Sequence, residues 1–98
     1  MADNTVRVTG NLQENQSTAW LLLRGGHNFF DVSVSGTFTA TVHLQRKRPG
    51  EADAAARDVE SYDVPVEKIG EMHGHWDVRL TVKTGNHTSG TAVAELGT

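Results

Sequence analysis

The sequence predicts an all-β fold, either an antiparallel β-sandwich or a jelly-roll-like barrel of about seven to eight short strands. Val, Thr and Ile supply 23 of the 98 residues, and such β-branched side chains favour strands over helices. Apolar and polar residues alternate in several segments, and turn residues separate these segments at intervals of roughly ten residues. A chain of 98 residues has room for one domain with one core.

The N-terminal segment, residues 1–18, is polar apart from three aliphatic side chains. Thr5–Thr9 alternates like a short edge strand, and Gly10–Thr18 has the composition of a loop. So few apolar groups cannot offset the roughly 1–2 kcal/mol per residue that backbone ordering costs. We therefore expect either an arm that is mobile until a neighbouring subunit orders it, or an edge strand. Residues 19–98 are expected to form the single β domain.

The remaining strands are predicted from alternation and from the turns that bound them. Thr37–Gln45 and Trp76–Lys83 alternate most regularly and are expected to carry the centre of the core. Val64–Val66 must be an edge or a bend, because proline donates no ladder hydrogen bond. Lys68–Gly74 is expected to be a turn. The other expected strands are Ala19–Leu23, Phe29–Val34, Val59–Asp63 and Thr91–Leu96, and the expected core residues are Phe30, Phe38, Leu44, Trp76, Val78 and Leu80.

One long insertion, Arg46–Asp58, interrupts the regular spacing of strands. It begins with a charged turn, Arg46–Glu51, and Ala52–Arg57 is a candidate single helical turn. The first three residues of the charged turn form a basic triplet, Arg46–Arg48, and carboxylates follow this triplet closely. This favours a solvated hairpin tip or a tip that contacts an acidic patch on a partner. Together with the N-terminal segment, this gives the candidate partner-binding residues Val6, Arg7, Val8, Arg46, Lys47 and Arg48.

Composition excludes several classes of protein. The absence of cysteine excludes disulfide scaffolds, thiolate metal sites and thiol nucleophiles. A net charge of −3 argues against a dedicated nucleic-acid binder. The longest apolar run, Ala19–Leu23, is far shorter than a membrane span, and the first residues lack the features of a secretion signal. We expect synthesis in the cytosol and neither nucleic acid nor membrane as a partner.

The segment around His73 and His75 has the residue types of a metal site. Histidines two positions apart on a strand face the same side and can present two nitrogens to one zinc ion. The alternative is a polar turn that enters the Trp76 strand, and this alternative is the stronger one, so we expect no metal and no cofactor. His43 or His87 would be the third ligand, but nothing in the sequence places either nearby.

No pattern in the sequence indicates catalysis. Arg24-Gly25-Gly26 lacks the glycine spacing of a nucleotide-binding loop, and no helix is expected after it. The serines lie in expected turns or on strand faces, and none is in a nucleophile-elbow motif. A small sandwich also has little concave volume for a substrate. We therefore expect a protein that is not an enzyme.

Three stretches resemble small virion proteins of tailed phages. Ser35–Arg46 is similar to their "S-G-T-F-x-A-T-V-x-L-Q-R" strand, Val59–Tyr62 to the strand after their hairpin, and Trp76–Leu96 to their C-terminal "Y-R-L-x-V-K-T-G-x-x-T-S-G-T-A" segment. The resemblance covers roughly residues 19–96. It implies a virion structural protein that decorates and cements the capsid by binding the major capsid protein. It further implies a homotrimer on the capsid surface, made in the host cytoplasm.

The alternative is a tail or head-fibre module that recognises host-surface glycan. Trp20, Trp76 and Tyr62 are the aromatic side chains that could stack on sugar rings, although both tryptophans are expected in the core. Many of the phage proteins have an "S-x-D-G-G-x-T-W" hairpin after the first motif. Here that hairpin is Lys47–Glu51 with an Ala-rich continuation, which argues against a glycan site in this loop.

Overall fold

The computed structural model describes residues 6–98, which form eleven strands and a single 3₁₀ turn at Asp53–Ala55. Every strand pair is antiparallel. The all-β prediction is confirmed. The strands are β1 (Arg7–Leu12), β2 (Gln16–Ser17), β3 (Leu21–Leu23), β4 (His27–Ser35), β5 (Phe38–Ala40), β6 (Val42–Lys47), β7 (Arg57–Tyr62), β8 (Val66–His73), β9 (Trp76–Val82), β10 (His87–Gly90) and β11 (Ala92–Gly97).

Two larger sheets enclose the core in a sandwich-like arrangement. The first sheet has the strand order β1-β11-β4-β8. In the second sheet β2 and β3 both pair with β9, which is followed by β6 and then β7. A small third sheet consists of β5 and β10. The outermost strands β8 and β7 each have one neighbour, so each larger sheet ends in an edge there.

The core contains side chains from both larger sheets. Five of the six expected core residues are buried, and Phe38 is half-buried and packs against them. Val78 and Leu80 of β9 are fully buried, and Trp76 is nearly so. Trp20, in contrast, is half-exposed and lies outside this core, because it precedes β3 and its ring contacts charged side chains.

The expected strand Thr37–Gln45 is two strands in different sheets. Its first part, β5, pairs with β10, and its second part, β6, pairs with β7 and β9. Between them the Thr41 amide donates to the Asn86 carbonyl at 2.8 Å. Apolar alternation continues across the break, because both parts direct every second side chain towards the same core. A pattern of period two therefore does not reveal the change of sheet.

The prediction of a turn at Lys68–Gly74 is wrong, because most of this segment belongs to β8. Eight consecutive residues of β8 pair with β4, from His27 opposite His73 to Val34 opposite Val66. Most β8 side chains are exposed, as expected at an edge, so apolar alternation is weak. Gly70 lies opposite Phe30, and a Cβ at this position would overlap the phenyl ring.

The N-terminal segment contributes an edge strand to the first sheet. All six residues of β1 pair with β11 of the same chain, and Leu12 is buried. Residues 1–5, and with them the start of the expected strand Thr5–Thr9, lie outside the described residues. Ordering by a neighbouring subunit stays a prediction, but β1 already has a partner within its own chain.

The number of strands exceeds the expected seven to eight, because two segments with the composition of loops contain short strands. β2 lies in Gly10–Thr18, and β10 lies in the glycine-rich segment after β9. The expected helical turn within Ala52–Arg57 is present as the 3₁₀ turn. Within residues 6–98, no helix has the length and hydrophobicity needed to cross a membrane.

Candidate functional site

The two sheet edges β7 and β8 border a groove that opens onto the core. The groove has a volume of about 180 Å³. Apolar side chains of both sheets, including Phe30, Leu44 and Met72, line its inner part. We name it the edge groove. Because it is small and largely apolar, it is suited to an apolar side chain of a partner rather than to a polar substrate.

Exposed aliphatic side chains surround the edge groove. Ile69 of β8 is 83% exposed, and Val59 of β7 is also exposed. Val64, in the bend between the two strands, is exposed as well, although it does not line the groove. Sheet edges also carry backbone donors and acceptors that no strand of the same sheet satisfies. This combination of apolar side chains and unpaired backbone is typical of a protein-binding edge.

An ion pair crosses between the two edges. The Lys68 ammonium contacts the Glu60 carboxylate and lies 5.8 Å from the centre of the Tyr62 ring. Both charged groups are about half-exposed, so the pair contributes little stability. Burial of the Tyr62 phenol raises its pKa to about 12, and the negative charge of Glu60 adds to the shift. The Lys68–Glu60 ion pair thus lies across the apolar edge groove.

Histidines and a glutamate cluster on the outer face of the first sheet. The rings of His27 and His73 stack with centroids 4.4 Å apart and planes within 7° of parallel. His27 Nε2 is 2.5 Å from Glu71 Oε2, within a hydrogen bond. The structure thus pairs His73 with His27 and Glu71, and not with the predicted His75. His75 follows the Gly74 turn, which has a left-handed φ of 82° and ends β8.

The two other histidines considered as ligands lie elsewhere. His43 Nε2 is 3.0 Å from Asn86 Oδ1, and its Nδ1 is 3.8 Å from Asp58. His87 Nε2 is 2.7 Å from the Gly90 carbonyl oxygen, in the third sheet. Hydrogen bonds from Lys83 and Gln45 lower the pKa of Asp58.

The basic triplet does not present three free charges. The guanidinium groups of Arg46 and Arg48 lie 4.0 Å and 3.7 Å from the centre of the Trp76 ring. Lys47 is only 7% exposed, and its ammonium donates to the Glu51 carbonyl oxygen at 2.7 Å. It also lies 3.5 Å from Asp77. Lys47 is therefore largely covered within its own chain, and its role in partner binding stays a prediction.

The insertion accounts for the burial of Lys47. Trp20 Nε1 donates to Asp53 of the 3₁₀ turn at 3.1 Å, which holds the insertion against the second sheet. The Trp20 ring is also contacted by Lys47 and Arg79. Alternation places Lys47 on the outer face of β6, but the insertion folds over this face and covers the side chain.

The N-terminal candidate residues Val6, Arg7 and Val8 lie at the edge of the first sheet, apart from the basic triplet. Arg7 pairs with both Asp31 and Glu95, and these carboxylates raise its pKa. Val6 and Thr98 exchange hydrogen bonds of 3.1 Å and 3.0 Å. Val8 is half-buried against the core. The two predicted groups of partner-binding residues thus lie in different sheets.

Comparison with known proteins returned no match. No protein-family model, no curated protein and no solved structure matches the chain. The family resemblance of the strand and turn motifs therefore stays a prediction.

The aromatic side chains that were candidates for sugar stacking have little free ring surface. Trp76 and Tyr62 are buried, and the Lys47 ammonium and the Arg79 guanidinium lie 5.0 Å and 4.4 Å from the centre of the Trp20 ring. Phe29 was not among the residues predicted to stack on sugar rings, but it is strongly exposed and lies beside His27. The glycan alternative stays a prediction, and Trp20 is the most exposed of its three aromatic residues.

The edge groove and the His27 cluster were both missed in the sequence. The groove depends on which strands end each sheet, and β8 was expected to be a turn. His27 and His73 are far apart in the chain and meet only through the β4–β8 register. The alternation of His27 with Phe29 and Asp31 was the available signal, since it extends the expected strand Phe29–Val34 to include His27.

Proposed function

We propose that the protein is a virion structural protein of a tailed phage, which decorates and stabilises the capsid by binding the major capsid protein. The observation that carries the proposal is the resemblance of three stretches to such proteins. Ser35–Arg46 contains β5 and all but the last residue of β6, Val59–Tyr62 lies in β7, and Trp76–Leu96 contains β9, β10 and most of β11. The motifs thus lie mainly in strands of both the second and the third sheet. The protein is a homotrimer on the capsid surface in this proposal.

The edge groove is the docking surface in this proposal. Ile69 and Val59 offer apolar area at the rim, and the groove can accept an apolar side chain of the capsid protein. The β7 and β8 backbones can pair with an extended segment of the same partner. Many copies on a symmetric shell would add avidity to a contact that is weak for one copy.

A binding assay on capsids tests the proposal. Capsids of the phage that encodes the chain, prepared without this protein, are mixed with purified protein and sedimented. We expect saturable co-sedimentation at a fixed ratio to the major capsid protein. Ile69→Asp should weaken binding by at least about tenfold, because it places a charge at the apolar rim of the contact. Ile69 is exposed, so the substitution should leave the fold intact.

Leu22→Asp is the matched control. Leu22 is an exposed aliphatic residue on β3, at the opposite edge of the second sheet from β7, and its substitution should leave binding unchanged. The location is tested separately by mass spectrometry of purified virions. Recovery of the protein only in tail or baseplate fractions, or no binding of the unmodified protein to capsids, would contradict the proposal.

A further inference from the structure

We propose that His27, Glu71 and His73 form a binding site for a divalent transition-metal cation of the Zn²⁺ type. The site does not depend on the proposed virion function. Each of the three residues has one ligand atom within 4.8 Å of the ligand atoms of the other two. Two imidazole nitrogens and one carboxylate oxygen are a set of protein ligands that zinc accepts, with a fourth position left for water.

The β4–β8 register places the three side chains on one face. His27 lies directly opposite His73, and Phe29 lies directly opposite Glu71. Since side chains two apart on a strand point to the same side, Glu71 and His73 share the outer face of the first sheet with His27. The ligands thus come from two hydrogen-bonded strands whose relative position is fixed by eight residue pairs.

The distances require only side-chain adjustment. Ligand atoms around a tetrahedral zinc ion are about 3.3 Å apart, as follows from metal–nitrogen bonds of about 2.0–2.1 Å. His27 Nε2 and Glu71 Oε2 are already 2.5 Å apart, and the His73 ring is stacked on the His27 ring. All three side chains are exposed, so rotation about their χ angles is open to them. A cation would replace the direct His27–Glu71 hydrogen bond by two bonds to the metal.

The charge of the surrounding face favours a cation. Asp31 and Glu67 lie on the same outer face of β4 and β8 as Glu71, and Glu95 lies on the outer face of β11. Arg7 pairs with Asp31 and Glu95, so the outer face of the first sheet as a whole carries more carboxylates than cations. The field of these groups raises the local concentration of divalent cations.

Binding of the metal would fasten the edge strand β8 to β4 at its C-terminal end. His73 is the last residue of β8 and precedes the Gly74 turn into β9. A ligand that binds the folded state alone stabilises it by mass action. Metal binding should therefore stabilise the pairing of the edge strand β8 with β4.

The test is titration of the full-length, metal-free protein with Zn²⁺ alone. Isothermal titration calorimetry should give one ion per chain, and saturating Zn²⁺ should raise the melting temperature. His27→Ala and His73→Ala should each weaken binding by at least about tenfold, because each removes one of three protein ligands. Glu71→Gln, which keeps the shape of the side chain, should also weaken it. His75→Ala is the matched control, since His75 is two residues from His73 and outside the cluster, and it should bind like the unmodified protein.

NMR spectra of the histidine rings keep the proposal falsifiable if a variant folds poorly. In the unmodified protein, Zn²⁺ should shift the resonances of His27 and His73 and leave those of His43 and His87 unchanged. Absence of stoichiometric binding overturns the proposal. So does equal loss of affinity in His75→Ala and His73→Ala, and so do shifts centred on His43 or His87.

Discussion

At the scale of single residues, Tyr62 offers the clearest measurement, because it is the only tyrosine in the chain. Tyr62 is 7% exposed, and burial raises the pKa of its phenol to about 12. We expect phenolate absorbance in the folded protein to titrate near this value, whereas the denatured chain should titrate near the ordinary value of about 10. A spectrophotometric pH titration with and without denaturant measures both.

The same shift has a consequence for stability at alkaline pH. Because the folded state holds the phenolic proton more tightly, the stabilisation is complete below the unfolded pKa of about 10 and is lost as pH rises through the folded pKa. The free energy of unfolding should therefore fall between about pH 10 and 12. Tyr62→Phe should lose less stability over this range and is the matched control. A folded-state midpoint near 10 would contradict this explanation.

Single-residue burial was predictable where it follows from alternation and not where a loop covers a strand. Val78 and Leu80 could be placed inside from the pattern of β9 alone. Lys47 has the position of an outward-facing residue, yet it is buried beside Asp77. Its cover comes from Asp53 and Trp20, whose meeting depends on the path of the insertion. Local sequence does not encode that path in a periodic pattern.

At the scale of elements, β1 has the structure of an integral edge strand rather than of a free arm. Removal of residues 1–10 deletes most of its pairing with β11 and the contacts of Arg7 with two carboxylates. Each lost hydrogen bond contributes about 0.5–1.5 kcal/mol, so the free energy of unfolding should fall by at least about 2 kcal/mol. Chemical denaturation followed by circular dichroism measures this loss.

A shorter truncation provides the control for this prediction. Removal of residues 1–5 leaves every residue of β1 in place, so this variant should keep the pairing with β11 and lose less stability than removal of residues 1–10. If the truncation of residues 1–10 also leaves stability unchanged while capsid binding is lost, the segment acts as an arm for a neighbouring subunit. The expectation of an arm would then hold in place of the edge strand.

The central strand β9 was predictable, and the edge strand β8 was not. β9 pairs with β6 on one side and with β2 and β3 on the other, and it buries one apolar face fully, so apolar and polar side chains alternate along it. β8 has one neighbour and exposes most of its side chains, so charged residues and Gly70 conceal the strand. The division between β5 and β6 was hidden for the opposite reason, since both parts keep the same apolar alternation.

At the scale of the whole molecule, the fold class could be predicted but the candidate sites could not. Composition and turn spacing are sums over the chain, and they indicate an antiparallel β fold regardless of register. The edge groove and the histidine cluster depend on which strands are neighbours and on the residue-by-residue alignment of β4 with β8. A change of one residue in that register would move Glu71 and His73 to the opposite face from His27.

The oligomeric state is the last prediction at this scale. A chain of 98 residues buries only about 60–65% of its unfolded surface, and here the edges β7 and β8 remain open with exposed aliphatic residues beside them. In a homotrimer, contacts between subunits stabilise the folded state by mass action, so the melting temperature depends on protein concentration. We expect it to rise by several degrees over a roughly hundredfold increase in concentration. Light scattering should give a mass three times the 10.6 kDa of the chain.

Ile69→Asp should leave both the mass and the concentration dependence unchanged if the edge groove binds the capsid protein and the trimer forms through another surface. A mass of one chain with a constant melting temperature would rule out the homotrimer in solution, and the capsid itself would then have to supply the neighbouring contacts.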